Sequence, residues 1–245
     1  MPDRCRRSWI THCATRRPPS AQECPPYISR NLGDHPVPTS LQAYTVAGLA
    51  VVGAALRREF PQLVIGVQVL THNAEGPLAI AQAIGAQFVR LKVYVGAMVK
   101  AEGILEGLAY AAIQYRARLG ADEVRILADV YDRTGEPLAR ASPTEEATQA
   151  VTFGRADGLV LSGKTFDESQ RMLTEVRAAG LGVPLYLGGG ATVNNVGQAL
   201  AVCDGVIVSP AFKTKQGWTR ESLASDWDEG KIRDFMRAAG QAGAA

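Results

Sequence analysis

From residue 27 onward the chain alternates between short β-branched runs and Ala-rich stretches of helical length. This rhythm constrains the fold more than any other feature. The strand-like runs are 27–31, 64–70, 88–94, 124–131, 158–162, 185–187 and 206–208. The intervening segments carry helix punctuation. Ser142-Pro143-Thr144-Glu145 has the form of a capping box with proline at the first helical position, and Gly85, Gly120 and Gly180 follow periodic runs as stops. Thr192 is placed to cap a helix over 193–201. Strands that alternate with helices, without Asn-Gly hairpin signals, predict βαβ units and a parallel sheet.

An open parallel sheet is covered on both faces, so its strands are apolar throughout. A closed barrel tolerates polar side chains on its inner face at the catalytic end. Here Val89, Leu91 and Val93 alternate with Arg90, Lys92 and Tyr94, and Ile126, Ala128 and Val130 alternate with Arg125, Leu127, Asp129 and Tyr131. The pattern favours a (β/α)8 TIM-type barrel. With the apolar faces against the helices, Asn31, Gln68, Lys92, Asp129 and Ser162 are predicted to share one interior. Unpaired charges there would cost several kcal/mol each, so that interior reads as a polar, ligand-binding mouth. Arg90 and Arg125, nearer the strand starts, either serve the site or plug the barrel and its lower rim. The 245 residues suit a single barrel of this kind, yet only seven strand-like runs are found. The expected architecture is therefore a barrel domain over 27–245 without a proper first strand. Residues 1–26 form an irregular Arg/Pro-rich segment in which 6–11 is the one weak strand candidate.

That first segment also distorts the charge balance. Residues 1–30 hold six arginines against Asp3 and Glu23, so a net charge of +2 conceals a mildly acidic body. A broad nucleic-acid-binding face is not expected. The Pro18-Pro19 and Pro25-Pro26 pairs, with no apolar core between them, do not suit a secretory signal. The longest mostly apolar stretch, 43–56, is 14 residues, short of the roughly 20 a bilayer needs. Cys5, Cys13 and Cys24 match no zinc spacing even with His12 adjacent, and Cys203 reads as a buried thiol. No metal site and a reducing cytoplasmic setting are expected.

Two loops point to an anion. Gly188-Gly189-Gly190-Ala191-Thr192 follows one strand, and Ser209-Pro210-Ala211-Phe212-Lys213 follows the next. In barrels of this type the loops after the last two strands commonly hold a phosphate. Glycines admit close approach of backbone N–H groups, a helix start near Val193 would favour negative charge, and Lys213 could add a cation. Phosphate binding is thus predicted at Gly188, Gly189, Gly190, Ser209 and Lys213. Lys92 or Lys164 could form a Schiff base if desolvated, and Asp129 could act as general base or metal ligand. His35 and His72 lie in loops after strands. The absence of a His cluster, a G-x-S-x-G elbow and a Walker loop disfavours zinc, serine and ATP hydrolysis.

These segments together resemble the BtpA/SgcQ family, named for photosystem I biogenesis and placed among the ribulose-phosphate-binding-type barrels. The resemblance is carried by Asn31-Leu32-Gly33-Asp34-His35-Pro36, Ile65-Gly66-Val67-Gln68-Val69-Leu70, Gly103-Ile104-Leu105-Glu106-Gly107, Arg125-Ile126-Leu127-Ala128-Asp129-Val130, Leu161-Ser162-Gly163 and the glycine triplet with Thr192 and Asn195. It implies a TIM-type barrel with the phosphate site described, and it names no settled reaction or cofactor. Three departures stand out: the family's first strand is not recognisable, Lys92 stands where asparagine is expected, and Tyr131 stands where histidine is expected.

The leading functional reading is a protein that binds a small phosphorylated or anionic metabolite at the C-terminal face of the strands. Asp129 and Lys92 are the catalytic candidates, and Asn31, Gln68, Ser162 and Lys164 contact the substrate. If it is an enzyme, the chemistry is that of a lyase, isomerase or transferase. The alternatives are a non-catalytic assembly or stability factor for photosystem I, or an impaired relative without activity. A sugar phosphate is the expected partner and nucleic acid is not. Peripheral membrane association and homo-oligomerisation are both left open.

Overall fold

The computed structural model describes residues 10–15, 26–32, 34–139, 141–215, 217 and 219–243, without the side chains of 10–15, 220, 242 and 243. In chain order the elements are β1 (Ile10–Thr15), β2 (Tyr27–Arg30), α1 (Ala43–Glu59), β3 (Ile65–Gln68), α2 (Glu75–Ile84), β4 (Phe88–Leu91), β5 (Ala97–Lys100), β6 (Gly103–Glu106), α3 (Ala109–Arg118), β7 (Arg125–Asp132), β8 (Glu136–Pro137), α4 (Pro143–Thr152), β9 (Gly158–Ser162), α5 (Phe166–Ala178), β10 (Leu185–Leu187), α6 (Val196–Val202), β11 (Gly205–Val208), a 3-10 turn (Pro210–Phe212), α7 (Arg220–Ala224) and α8 (Glu229–Gly243).

The sheet closes on itself in the order β1-β11-β10-β9-β7-β4-β3-β2. The seven predicted runs form its parallel strands, pairing β2 with β3, β3 with β4, β4 with β7, β7 with β9, β9 with β10 and β10 with β11. The fold is a TIM-type barrel whose eighth position differs from the usual arrangement. There β1 runs antiparallel, with His12 opposite both Tyr27 of β2 and Val208 of β11. No parallel first strand is present among the described residues. A seam between β2 and β11 would leave two rows of unpaired N–H and C=O groups, and a strand of either direction can satisfy them. The first segment therefore differs from the irregular stretch expected over 1–26, because Ile10–Thr15 joins the barrel. Its weak β pattern is overridden by two waiting edges. Cys5, Cys24, Gly33 and the side chains of His12 and Cys13 lie outside the described residues.

The predicted alternation has a physical counterpart in two separate cores. Val67, Val89, Leu91, Ile126, Ala128, Val130, Leu159 and Leu161 pack outward against the helices. Ile28, Phe88, Leu127, Val160 and Ile207 form a second cluster inside the barrel, with Tyr186 against it. Ser142 accepts from Glu145 N–H at 3.1 Å, completing the predicted capping box with Pro143 at the first helical position. Gly85, Gly120 and Gly180 adopt φ of +64°, +61° and +65°, as expected of helix stops. The helix expected from Val193 under a Thr192 cap instead begins at Val196 after Asn195. Asn195 Oδ1 accepts from Thr192 N–H at 2.7 Å, which folds 192–195 into a turn. A three-stranded sheet, β6-β5-β8, stands beside the barrel at its C-terminal end. The runs 97–106 and 136–137 gave no strand signal because their pairing is with each other, not with a barrel neighbour. Cys203 is buried as expected. No helix of the described residues is long and apolar enough to cross a membrane.

Candidate active site at the C-terminal mouth

One strand period beyond the inner apolar cluster, two residues further along each strand, the inward positions become polar. Arg30 follows Ile28, Arg90 follows Phe88, Asp129 follows Leu127, Ser162 follows Val160 and Ser209 follows Ile207. Gln68 lies opposite Arg30 in the parallel register. Lys92 continues the inward face of β4 past Arg90. The interior predicted from alternation thus brings together Gln68, Lys92, Asp129 and Ser162.

Asn31 departs from that expectation. It lies just past the end of β2, where its Nδ2 donates to Asp34 Oδ2 and its Oδ1 accepts from Leu70 N–H, both at 2.8 Å. It ties the end of β2 to the segment after β3, and Arg30 takes the inward place. Ile28 belongs to the inner cluster, so Arg30 shares its face and Asn31 falls on the opposite one.

Arg90 and Asp129 form a two-pronged ion pair, Nε to Oδ1 at 2.7 Å and Nη2 to Oδ2 at 3.0 Å, with exposures of 8% and 2%. Burial raises the Asp129 carboxyl, and Arg90 opposes that rise. A second carboxylate joins it through an irregularity the sequence pattern did not foresee. The register slips between Val130 and Asp132, and Tyr131 sits at φ +58°. Such a bulge re-aims the following side chain, so Asp132 rather than Tyr131 pairs in register with Ser162. Lys100 of β5 reaches down to Asp132, whose Oδ1 also accepts from Thr134 N–H at 3.0 Å and from its hydroxyl at 2.7 Å. Although burial would push Asp132 up, Lys100 and Thr134 hold its carboxyl well below the usual range.

Arg30 is a cation with little to balance it. Burial lowers its guanidinium to about 10, with Arg90 adding to the effect and Asp129 and Asp132 opposing. Its Nε, Gln68 Nε2 and Ser162 Oγ are buried without a hydrogen-bond partner among the described residues. Buried polar atoms left unpaired cost about 1–3 kcal/mol each, which makes this mouth the candidate binding site. Lys92 is partly buried and makes no hydrogen bond or ion pair among the described residues. Burial first, then Lys100 and Arg30, lower its amine to about 8, against Asp132 and Glu102. His72 Nε2 lies 2.7 Å from Glu106 O, and burial lowers its ring. His35 is exposed.

A cavity of about 280 Å³ opens beside this cluster, lined by Arg30, Arg90, Arg133, Gly188, Gly189, Gly190, Ser209 and neighbours. It sits at the small end of the roughly 300–1,000 Å³ typical of ligand sites. Gly188 is sterically required, whereas the contact at Gly189 is with the movable end of a long side chain. A Cβ on Gly188 would collide with Ser162 Oγ, and one on Gly189 would sit 2.9 Å from Arg133 Nη2. Gly188 N–H is already given to Leu161 O at 2.8 Å. The N–H groups of Gly189, Gly190 and Ala191 make no hydrogen bond among the described residues. The helix start invoked from sequence does not contribute, because α6 begins later. Lys213 is held elsewhere: its Nζ donates to Ser225 O at 2.8 Å and lies 4.2 Å from the Trp227 ring centroid, outside the cavity lining. Lys164 is also outside it, exposed and paired with Glu136, and Lys92 lies beyond its lining as well, on the side of Arg90. Sequence reasoning did not single out Arg30 or Arg133, although Arg30 carried a signal in its spacing from Ile28. A larger cavity of about 350 Å³ lies at the opposite end of the strands, but its charged residues, Arg177 and Asp204, bond each other at 2.8 Å.

Fold and mouth together define a TIM-type barrel with a cationic, glycine-lined pocket at the C-terminal ends of its strands. The family model described as the BtpA family matches residues 26–241, and the chain belongs to that family. It is 36% identical over 176 residues to "Photosystem I biogenesis protein BtpA" of Synechocystis, covering 71% of this chain and 59% of that relative, so the likeness stops short of two thirds of the relative's length. An uncharacterized protein of Archaeoglobus fulgidus is 31% identical over 214 residues, 86% of this chain and 81% of its own. Among solved structures, N-(5'-phosphoribosyl)anthranilate isomerase from Pyrococcus furiosus matches with a TM-score of 0.51 at 15% identity over 80% of each chain. A 3-hexulose-6-phosphate synthase matches with a TM-score of 0.52 at 14% identity, over 81% of this chain and 84% of that one. These two likenesses bear on the fold.

Proposed function

We propose that this protein binds a small phosphorylated metabolite in the mouth of its barrel and acts on it as a cytoplasmic enzyme of lyase, isomerase or transferase type. The observation that carries the reading is the convergence of Arg30, Arg90 and Arg133 with the free N–H groups after Gly188 on one small cavity. Guanidinium groups match phosphate oxygens in a fork geometry. The phosphate rests between Gly189, Gly190, Ser209 and Arg133. The remainder of the molecule extends toward Gln68, Lys92 and the Arg90–Asp129 pair. Of the sequence candidates, Gly188 shapes the cradle by its lack of a side chain, and Ser162 supplies a hydroxyl beneath it. Asn31, Lys164 and Lys213 serve the scaffold.

The test is the melting temperature in inorganic phosphate at constant ionic strength. Stability rises as RT ln(1 + [L]/Kd), about 2.7 kcal/mol at a hundredfold excess over Kd. The rise is expected in the native chain and absent in Arg133→Ala. No rise in the native chain overturns the reading.

The likeness to the Synechocystis protein supports a second reading, a non-catalytic factor in photosystem I biogenesis. Under that reading Asp129→Ala and Lys92→Ala leave function intact in a photosynthetic host, whereas the enzyme reading requires both residues.

A further inference from the structure

Four lysines lie at or near the C-terminal end of the barrel, and three of them are already engaged. Lys100 is bound to Asp132 and Thr134, Lys164 to Glu136, and Lys213 to Ser225 and the Trp227 ring. Lys92 differs. It has neither an ion pair nor a hydrogen bond among the described residues, although it is largely enclosed. Asp132, the nearest strongly acidic group on its inward side, is committed to Lys100 and Thr134. Lys92 lies just past the end of β4, two residues beyond Arg90, and Arg90 itself lines the anion cavity. Val93 follows at φ +46°, a conformation rare for a β-branched residue and of the kind that clusters at active sites.

We infer that Lys92 is a nucleophile that forms an imine with the carbonyl carbon of a phosphorylated aldehyde or ketone whose phosphate occupies the Arg133 and Gly189 cradle. The inference rests on the phosphate reading above and names the substrate class for it. Two unpaired buried donors, Arg30 Nε and Gln68 Nε2, stand on β2 and β3, of which β3 pairs directly with β4 and β2 lies one strand beyond it, and suit a carbonyl oxygen. The groups facing Lys92 are Arg30 from β2, His72 from the loop after β3, Lys100 and Glu102 from the β5–β6 hairpin, and Asp132 from β7. With the amine lowered to about 8 by burial and those cations, about a tenth is neutral at pH 7. Lys164, the other candidate the sequence raises, is raised by Glu136 and stays protonated.

The step is balanced within the two reactants. The neutral amine's lone pair attacks the carbonyl carbon, and one amine proton passes to the oxygen to give a carbinolamine. Loss of the hydroxyl with the second amine proton, as water, leaves the C=N bond. No electrons are exchanged. The imine then withdraws electrons from the neighbouring carbon, which is what a lyase or isomerase of a carbonyl compound requires.

The experiment incubates the full chain with dihydroxyacetone phosphate, reduces with sodium borohydride, whose hydride converts the imine to a stable secondary amine, and maps the adduct by peptide mass spectrometry. The expected result is a single adduct on Lys92, suppressed by excess inorganic phosphate, at least tenfold weaker with unphosphorylated dihydroxyacetone, absent in Lys92→Arg and retained in Lys164→Arg. Mapping in the native chain keeps the test independent of whether Lys92→Arg folds. Adducts spread over exposed lysines, or none at Lys92, overturn the inference. If phosphate still raises the melting temperature in that case, the phosphate reading survives alone; if it does not, both fall.

Discussion

Ile28, Phe88, Leu127, Val160 and Ile207 form the barrel floor, and two residues later the same strands carry Arg30, Arg90, Asp129, Ser162 and Ser209. The two layers share strands, solvent exclusion and register, yet differ in what satisfies them. The floor is apolar and complete in itself, held by close packing. The mouth buries charges and leaves Arg30 Nε, Gln68 Nε2 and Ser162 Oγ unpaired. A single strand period separates a layer that stabilises the barrel from one that destabilises it unless something binds.

The largest expected effect lies in the floor. Phe88→Ala should cost about 3–5 kcal/mol, read by urea denaturation, by removing a ring from a packed interior. Gly66 abuts that ring, since a Cβ there would collide with it. Gly66→Ala should therefore cost about 1–3 kcal/mol alone and much less in the Phe88→Ala background. Additive losses would show that the two do not share one packed layer.

In the mouth, Asp129→Ala leaves Arg90 buried without its carboxylate and should cost about 3 kcal/mol. Asp129→Asn, which keeps an acceptor, should cost less. If the native chain is no more stable than Asp129→Ala, the ion pair is not the element that finishes this layer. Arg133→Ala should change stability by under about 1 kcal/mol, because no packed cluster includes it, while abolishing the rise with phosphate. A floor variant should do the reverse, lowering stability while keeping the phosphate response of the folded protein.

A further contrast with the floor is a pH dependence. Lys92 is lowered from 10.5 to about 8 in the folded state, so between about pH 8 and 10.5 the unfolded chain binds more protons and stability rises with pH. Below about 8 the amine is charged in both states and its destabilisation is constant. Lys92→Met should be more stable than the native chain at pH 7, and the difference should shrink as pH rises through 8. A difference that does not change with pH would place Lys92 in solvent.

Alternation of apolar and polar residues made the seven parallel strands and the two faces of β3, β4, β7 and β9 legible, because burial on one side of a pleated strand leaves a period of two in the sequence. Gln68, Lys92, Asp129 and Ser162 followed from that count, and the glycine triplet from its place after one of the last two strands. Asn31 did not, because the short run 27–31 is apolar at both Tyr27 and Ile28 and so does not mark which of its faces points inward. Asp132 was hidden by the bulge at Tyr131, which breaks the period where the function begins. Lys213 looked like a phosphate ligand from its place in a loop, but Trp227 and Ser225, distant in any local reading, take its amine instead.

Local order, the character of each strand and the positions of helix starts and stops were already determined by the amino-acid sequence, since they depend on neighbours within a few residues. Tertiary structure alone decided that Ile10–Thr15 would fill the seam in the reverse direction, that Arg30 and Arg133 would meet at the glycine loop, and that Lys92 would be left unpaired. Those outcomes depend on closing a sheet and on which charges reach one another first, and pairing between distant residues leaves no period along the chain.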